Sequence, residues 1–194
     1  SSSTSIPYTN TSHYYGLDYS FGQSIDAIKS EMKLFASYNK SKTLSLNQGI
    51  VSNLNFDSYS LSPSITTDIG RFMVLKYDIS YRHTRSKIRN QSMPAVHNVA
   101  QNLGTSIIPV KKLIFNISFN HYFNSLIESE ARSSWFGNLG VKYKLKNVDL
   151  MLDWTNIFNT NKFITYSYSD ISSYYSIYDL RPSEILLRVR FKIL

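Results

Sequence analysis

At 194 residues the chain is long enough for one domain, and its 42% hydrophobic and 18% charged content excludes both a disordered chain and a helical membrane protein. The absence of Cys excludes disulfides, thiolate zinc sites and a cysteine nucleophile. A formal charge of +8 would suit nucleic acid, but the basic residues are scattered singly, and the densest run (Arg82, Arg85, Lys87, Arg89) falls at a strand end rather than along one face, so no nucleic-acid partner is expected.

The N-terminal Ser1-Ser2-Ser3-Thr4-Ser5 has neither the basic start nor the apolar run of a signal peptide, so an exported protein would have lost one or would begin inside a longer precursor. No window approaches the ~18–20 apolar residues of a membrane helix. Fifteen Tyr and eleven Phe against seven Gly and five Pro favour strands. Period-two alternation then recurs along the chain. It is weak over residues 15–21 and 32–38. Next, Tyr59, Leu61, Pro63 and Ile65 alternate with serines, and Met73, Leu75, Tyr77, Ile79 and Tyr81 alternate with Lys76, Asp78, Ser80 and Arg82. Residues 96–108 are less regular and are read as a strand because their neighbours need a partner. Phe115, Ile117, Phe119 and Phe123 follow, then a weak stretch at 135–145, then Val148, Leu150, Leu152 and Trp154. The clearest alternation comes last, with Ile185, Leu187, Val189, Phe191 and Ile193 between Glu184, Arg188, Arg190 and Lys192.

About nine strands result, most of them longer than the five or six residues typical of soluble sheets. Short connections (23–27, 67–71, 109–111, Lys146-Asn147) alternate with long ones (39–53, 86–95, 125–132, 159–182), the pattern of outer-membrane barrels with periplasmic turns and larger extracellular loops. The apolar sets contain no Asp, Glu, Lys or Arg, whereas the opposite faces carry Asp18, Glu31, Lys33, Lys76, Asp78, Arg82, Lys142, Lys144, Asp149, Asp153, Arg188 and Arg190. A Lys or Arg facing mid-bilayer lipid costs about 2–4 kcal/mol, which accounts for that exclusion. The predicted fold is therefore all-β: an antiparallel transmembrane β-barrel segment covering residues 1–194, located in a bacterial outer membrane with lipid as its partner. If the final strand runs toward the periplasm, the first strand does too. The chain then reads as the C-terminal portion of a larger barrel.

The run Asp149-Leu150-Met151-Leu152-Asp153-Trp154-Thr155-Asn156-Ile157-Phe158-Asn159, a Ser/Tyr-rich loop, and Leu180-Arg181-Pro182-Ser183-Glu184-Ile185-Leu186-Leu187-Arg188-Val189-Arg190-Phe191-Lys192 carry a resemblance. Together they resemble the C-terminus of Bacteroidetes outer-membrane β-barrel proteins related to TonB-dependent receptors. The resemblance spans about a quarter of the chain, and Asn156-Ile157-Phe158-Asn159 is its most specific element. That family often ends on an aromatic residue, whereas here the last is Leu194 and the nearest aromatic is Phe191. The resemblance implies binding and uptake of an extracellular ligand, with an N-terminal remainder of the barrel and a plug, TonB and a surface lipoprotein as partners. A small self-contained barrel with a structural or adhesive role is the alternative.

Two groups of residues are candidate sites. Tyr166, Tyr168, Tyr174, Tyr175 and Tyr178, in the last long loop, suit surface recognition, since Tyr offers amphipathic contact area at low entropic cost; mutual packing in a hairpin is the competing reading. Asp149 and Asp153 share a face with Arg188, Arg190 and Lys192 on the next strand, either a wall for a charged ligand or, more simply, a cross-strand charge ladder lining a wet lumen. The two carboxylates lie roughly 13 Å apart along the strand, too far for a hydrolytic pair. His13, His83, His97 and His121 lack metal-ligand spacing. No enzymatic activity, cofactor or metal is expected.

Overall fold

The computed structural model describes residues 12–47, 50–89, 91–168 and 173–191. These form strands β1 (His13–Ile25), β2 (Ser30–Asn47), β3 (Ile50–Ile69), β4 (Met73–Ile88), β5 (Gln91–Ser92), β6 (Val96–Val110), β7 (Leu113–Asn124), β8 (Ser133–Lys144), β9 (Val148–Thr155), β10 (Lys162–Tyr168), β11 (Ser173–Asp179) and β12 (Glu184–Phe191). The main sheet is antiparallel throughout and runs β1-β2-β3-β4-β6-β7-β8-β9-β12, with β5 a two-residue addition to β4. Nine full-length strands in chain order match the number expected from the alternation. Among the described residues β1 and β12 are the two ends of this sheet and do not pair with each other.

At one end, the turn end, strands are joined tightly. Lys29 and Gly70 take left-handed backbone conformations there (φ 48° and 63°), a region that costs Gly little. The opposite, loop end differs from expectation at residues 39–53. Among the described residues no long loop is found there; β2 and β3 stay paired from Ser30↔Thr67 to Asn47↔Ile50, so the hairpin extends beyond the alternating region. Lys40 and Lys42 follow Tyr38 at the alternate positions of β2 and interrupt the apolar set before Leu44 and Leu46 resume it, so the strand period is broken there while the ladder pairing continues. A second difference lies in the last connection, where β10 and β11 form a separate two-stranded sheet.

Proline marks both irregularities of the ladder. The β3–β4 ladder skips Ser62 and Pro63 between Leu61↔Tyr81 and Ser64↔Asp78, and the β6–β7 register shifts between Ile107 and Val110, around Pro109. A residue without an N–H cannot complete its rung.

Register sorts the side chains onto two faces. Leu61, Tyr81 and Val99 form one row of the apolar face, and Val141, Leu152 and Leu187 form another. The twelve charged residues assigned above to the opposite faces all fall on the polar face, as the pairing Ser64↔Asp78↔Asn102 illustrates. Among the described residues only Leu54, Val96 and Ile127 are buried hydrophobics, all near the loop end. Among the described residues no second layer covers the apolar face: Leu17, Leu61, Leu152 and Leu187 are 70%, 44%, 43% and 67% exposed.

Candidate functional site

The Asn156-Ile157-Phe158-Asn159 element is a turn that fastens three strands. Both asparagines adopt left-handed conformations (φ 49° and 52°), which Asn tolerates better than other side chains. Asn156 donates from Nδ2 to the carbonyls of Thr160 (2.9 Å) and Arg181 (2.8 Å) and accepts from the Thr160 N–H (3.0 Å), while Asn159 accepts from the Ser183 N–H (3.0 Å). The chain leaving β9 is thereby tied to the chain entering β12. Phe158 folds back over the apolar face toward Phe119, with ring centroids 6.1 Å apart, above Gly137. A Cβ at Gly137 would stand 2.9 Å from Phe158 Cε2, so this close approach needs glycine.

Above that turn the β10–β11 hairpin is closed at its base by Leu180 N–H donating to the Asn161 carbonyl at 2.9 Å. Phe163 reaches the polar face of the main sheet and packs with Tyr122 of β7 (5.2 Å) and Phe136 of β8 (5.7 Å), while Asn124 donates to the Tyr166 carbonyl at 2.7 Å. The hairpin therefore leans over the polar face. Between them lies an open cavity of about 280 Å³ lined by Arg82, Asn98, Tyr122, Arg132, Phe163 and Tyr166, among others. A second cavity of about 310 Å³ shares Arg82 and Asn98 and continues along β2 and β3 past Asn39 and Ser58. Amide, hydroxyl and guanidinium donors beside aromatic rings suit a polar ligand.

The five loop tyrosines are divided by strand alternation. Tyr178, opposite Phe163 with rings 6.3 Å apart, and Tyr174 fall on the hairpin face that carries Phe163. Tyr166 and Tyr175 fall on the other, with their rings 6.1 Å apart, and Tyr168 stands opposite Ser173 in the backbone register. Tyr174, Tyr175 and Tyr178 are all more than half exposed. Phe163, the residue that anchors the hairpin, was missed by sequence reasoning because one Phe in a Tyr-rich run carries no distinguishing local signal.

In the charge ladder, Arg188 binds Asp153 through two nitrogens, Nε at 3.0 Å and the shorter Nη2 contact. Asp149 is buried and pairs with Lys142 of β8 at 3.2 Å, while Arg190 stands opposite Asp149 in the β9–β12 register. Lys192 lies outside the described residues. The ladder is thus a diagonal network over β8, β9 and β12.

The apolar face carries a rim at its loop end. Tyr38, Tyr59, His83 and His97 occupy one cross-strand row, with ring centroids 4.8 Å, 6.2 Å and 4.4 Å apart in succession. Arg85 donates to Nε2 of His83 at 2.9 Å, which leaves the His83 ring proton on Nδ1, directed at Nδ1 of His97 3.2 Å away. The Tyr81 hydroxyl lies 2.9 Å from that same His97 nitrogen. The juxtaposition of His83 and His97 is a consequence of β4–β6 register and cannot be seen in sequence spacing. Among the described residues no group of three metal-ligating side chains forms. Further along the sheet His121 stacks on Trp135 at 4.1 Å, and Trp154 donates from Nε1 to Ser183 Oγ at 2.9 Å. Compared with known proteins, the chain matches no protein-family model and no curated protein sequence.

Proposed function

We propose that the chain is a wall segment of a bacterial outer-membrane β-barrel, the C-terminal barrel portion of a TonB-dependent-type receptor that binds and takes up an extracellular ligand. The observation that carries this reading is an uncovered apolar band, charge-free up to its aromatic rim, on one face of a nine-strand sheet whose other face is polar. A soluble sheet of this size would cover its apolar face with a second layer, because monomers rarely expose apolar patches beyond a few hundred Å². Lipid is the solvent that fits.

Dimensions support the same conclusion. Along β4 the apolar set from Met73 to Tyr81 spans about 27 Å at ~3.4 Å per residue, or about 20 Å of depth at a ~40° tilt, close to the ~25 Å apolar band of such barrels. The rim supplies a second measure. Tyr59 of β3 shares its row with His97, whereas Trp154 of β9 shares a row with Thr105, eight residues further down β6. A drop of about 27 Å over five strand spacings of ~4.8 Å is a slope near 45°, the inclination of strands in a membrane barrel. The free edges of β1 and β12 would be closed by further strands, since unpaired backbone groups cannot persist in hydrocarbon.

The cavity beneath the β10–β11 hairpin then opens at the extracellular mouth, where an incoming ligand is first met. Impermeant thiol reagents on intact cells test the arrangement: Cys at Gln91 and Leu126 labels and Cys at Asn147 does not, with labelling confined to Asn147 overturning the topology. Uptake is tested by comparing a gene disruption with its complement on single-nutrient media. Phe163→Ala and Arg82→Ala reproduce the nutrient-specific defect at unchanged membrane abundance. A disruption without effect on any nutrient overturns the receptor reading and leaves the wall.

A further inference from the structure

Immediately beyond the Tyr38–Tyr59–His83–His97 row, toward the loop end, the same face of the sheet turns basic. The next row holds Lys40, Asp57 and Arg85, and the one after it Lys42, Asn55 and Lys87. Strand spacing of ~4.8 Å and row spacing of ~6.8 Å place the four cations at the corners of a patch about 10 Å by 7 Å. Four positive charges face the single carboxylate of Asp57, which Lys40 approaches at 3.8 Å and the Tyr38 hydroxyl at 3.3 Å. Arg85 is held by His83, and neither Lys42 nor Lys87 has an ion-pair partner among the described residues. Both are exposed, and each sits two rows above an aromatic or imidazole side chain on its own strand, Tyr38 and His83. On β8 and β9 the corresponding positions beyond Trp135 and Trp154 are Ser133 and Asn156, so the basic character is confined to β2–β4.

We infer that this patch is a binding site for the phosphate of a membrane lipid headgroup. The inference rests on the reading that the apolar face contacts lipid. A lipid seated there lays its chains on the apolar rows of Ala36, Leu61 and Tyr81, passes its polar junction across the aromatic row and presents its phosphate to Lys42, Lys87 and Arg85. A free anion would gain only the charges. The lipid also gains the apolar rows beneath them, and those rows select it as the occupant.

Native mass spectrometry of the protein in a neutral detergent, with phosphatidic acid, chain-matched phosphatidylcholine or inorganic phosphate added, tests this. Phosphatidic acid is expected to bind at least tenfold more tightly than phosphatidylcholine and to resist displacement by an equal concentration of inorganic phosphate. Each basic residue near an anionic surface contributes about fivefold, so K42Q/K87Q lowers that binding about 25-fold, whereas K111Q/K112Q at the turn end leaves it unchanged. Equal binding of the two lipids, displacement by inorganic phosphate, or an equal loss in the turn-end variant overturns the headgroup site. Retention of neither lipid overturns instead the lipid-facing reading on which it rests.

Discussion

Leu152 and Leu187 stand opposite one another in the β9–β12 register, and one residue further along each strand Asp153 and Arg188 are joined by an ion pair. The two pairs share the same strands, the same ladder and nearly the same depth, and differ only in the face they take. On one face every side chain along β9 and β12 is apolar and exposed or half-exposed; on the other, charges are matched across β8, β9 and β12. A slip of one residue would exchange the apolar and the polar set, so the register of this sheet is specified by the difference between its two faces. Among the described residues only three hydrophobic side chains are buried, so no packed core contributes to that sorting along β9 and β12.

The comparison is broken most severely by moving charge between the faces. If the apolar face meets lipid as proposed, Leu152→Arg and Leu187→Arg each set a cation against it and are expected to destabilise vesicle-inserted protein by about 2–4 kcal/mol, whereas Arg188→Leu removes only an exposed partner of Asp153 and costs under about 1 kcal/mol. Heat-modifiable gel migration and urea midpoints of vesicle-inserted protein measure both; equal tolerance of all three substitutions would falsify the face assignment. The next largest effect belongs to the seam that carries both pairs. Asn156→Ala forfeits three side-chain hydrogen bonds and puts a less tolerant residue at φ 49°, for an expected loss of roughly 2–3 kcal/mol in the same urea experiment. A smaller, local effect is expected at the hairpin. Phe163→Ala removes its contacts with Tyr122 and Phe136, so amide exchange across residues 162–168 and 173–179 should quicken about tenfold while the main sheet keeps its protection. Unchanged exchange would mean that the hairpin is held by its backbone bonds alone.

Much of this was legible before the structure, and the reason is local. Wherever one face is apolar and the other polar, period two exposes the strand and its orientation together, as along Met73, Leu75, Tyr77, Ile79 and Tyr81. The paired extension of β2 and β3 past Asn39 was hidden because Lys40, Lys42 and Asp57 interrupt the apolar alternation before Leu44 and Leu46 resume it, so the Ser, Thr and Asn between them resemble loop residues. The β10–β11 hairpin was hidden for the opposite reason: aromatic rings occupy both of its faces, and alternation cannot be read from a run of Tyr. Of the candidate site, the pairing of Asp153 with Arg188 followed from neighbouring strands, but the cavity under Phe163, the contact of His83 with His97 and the basic patch all depend on which residue stands opposite which. Register across long connections is a property of the folded sheet.

The central claim is that the two faces meet different solvents. Nitroxide labels at Met151, Leu152, Leu187 and Arg188, placed one at a time in protein reconstituted into vesicles, read it directly through their collision rates with oxygen and with a water-soluble nickel complex. The account predicts that labels at Leu152 and Leu187 are relaxed by oxygen and shielded from nickel, with the order reversed at Met151 and Arg188. Ready access of the nickel complex to all four positions would contradict it.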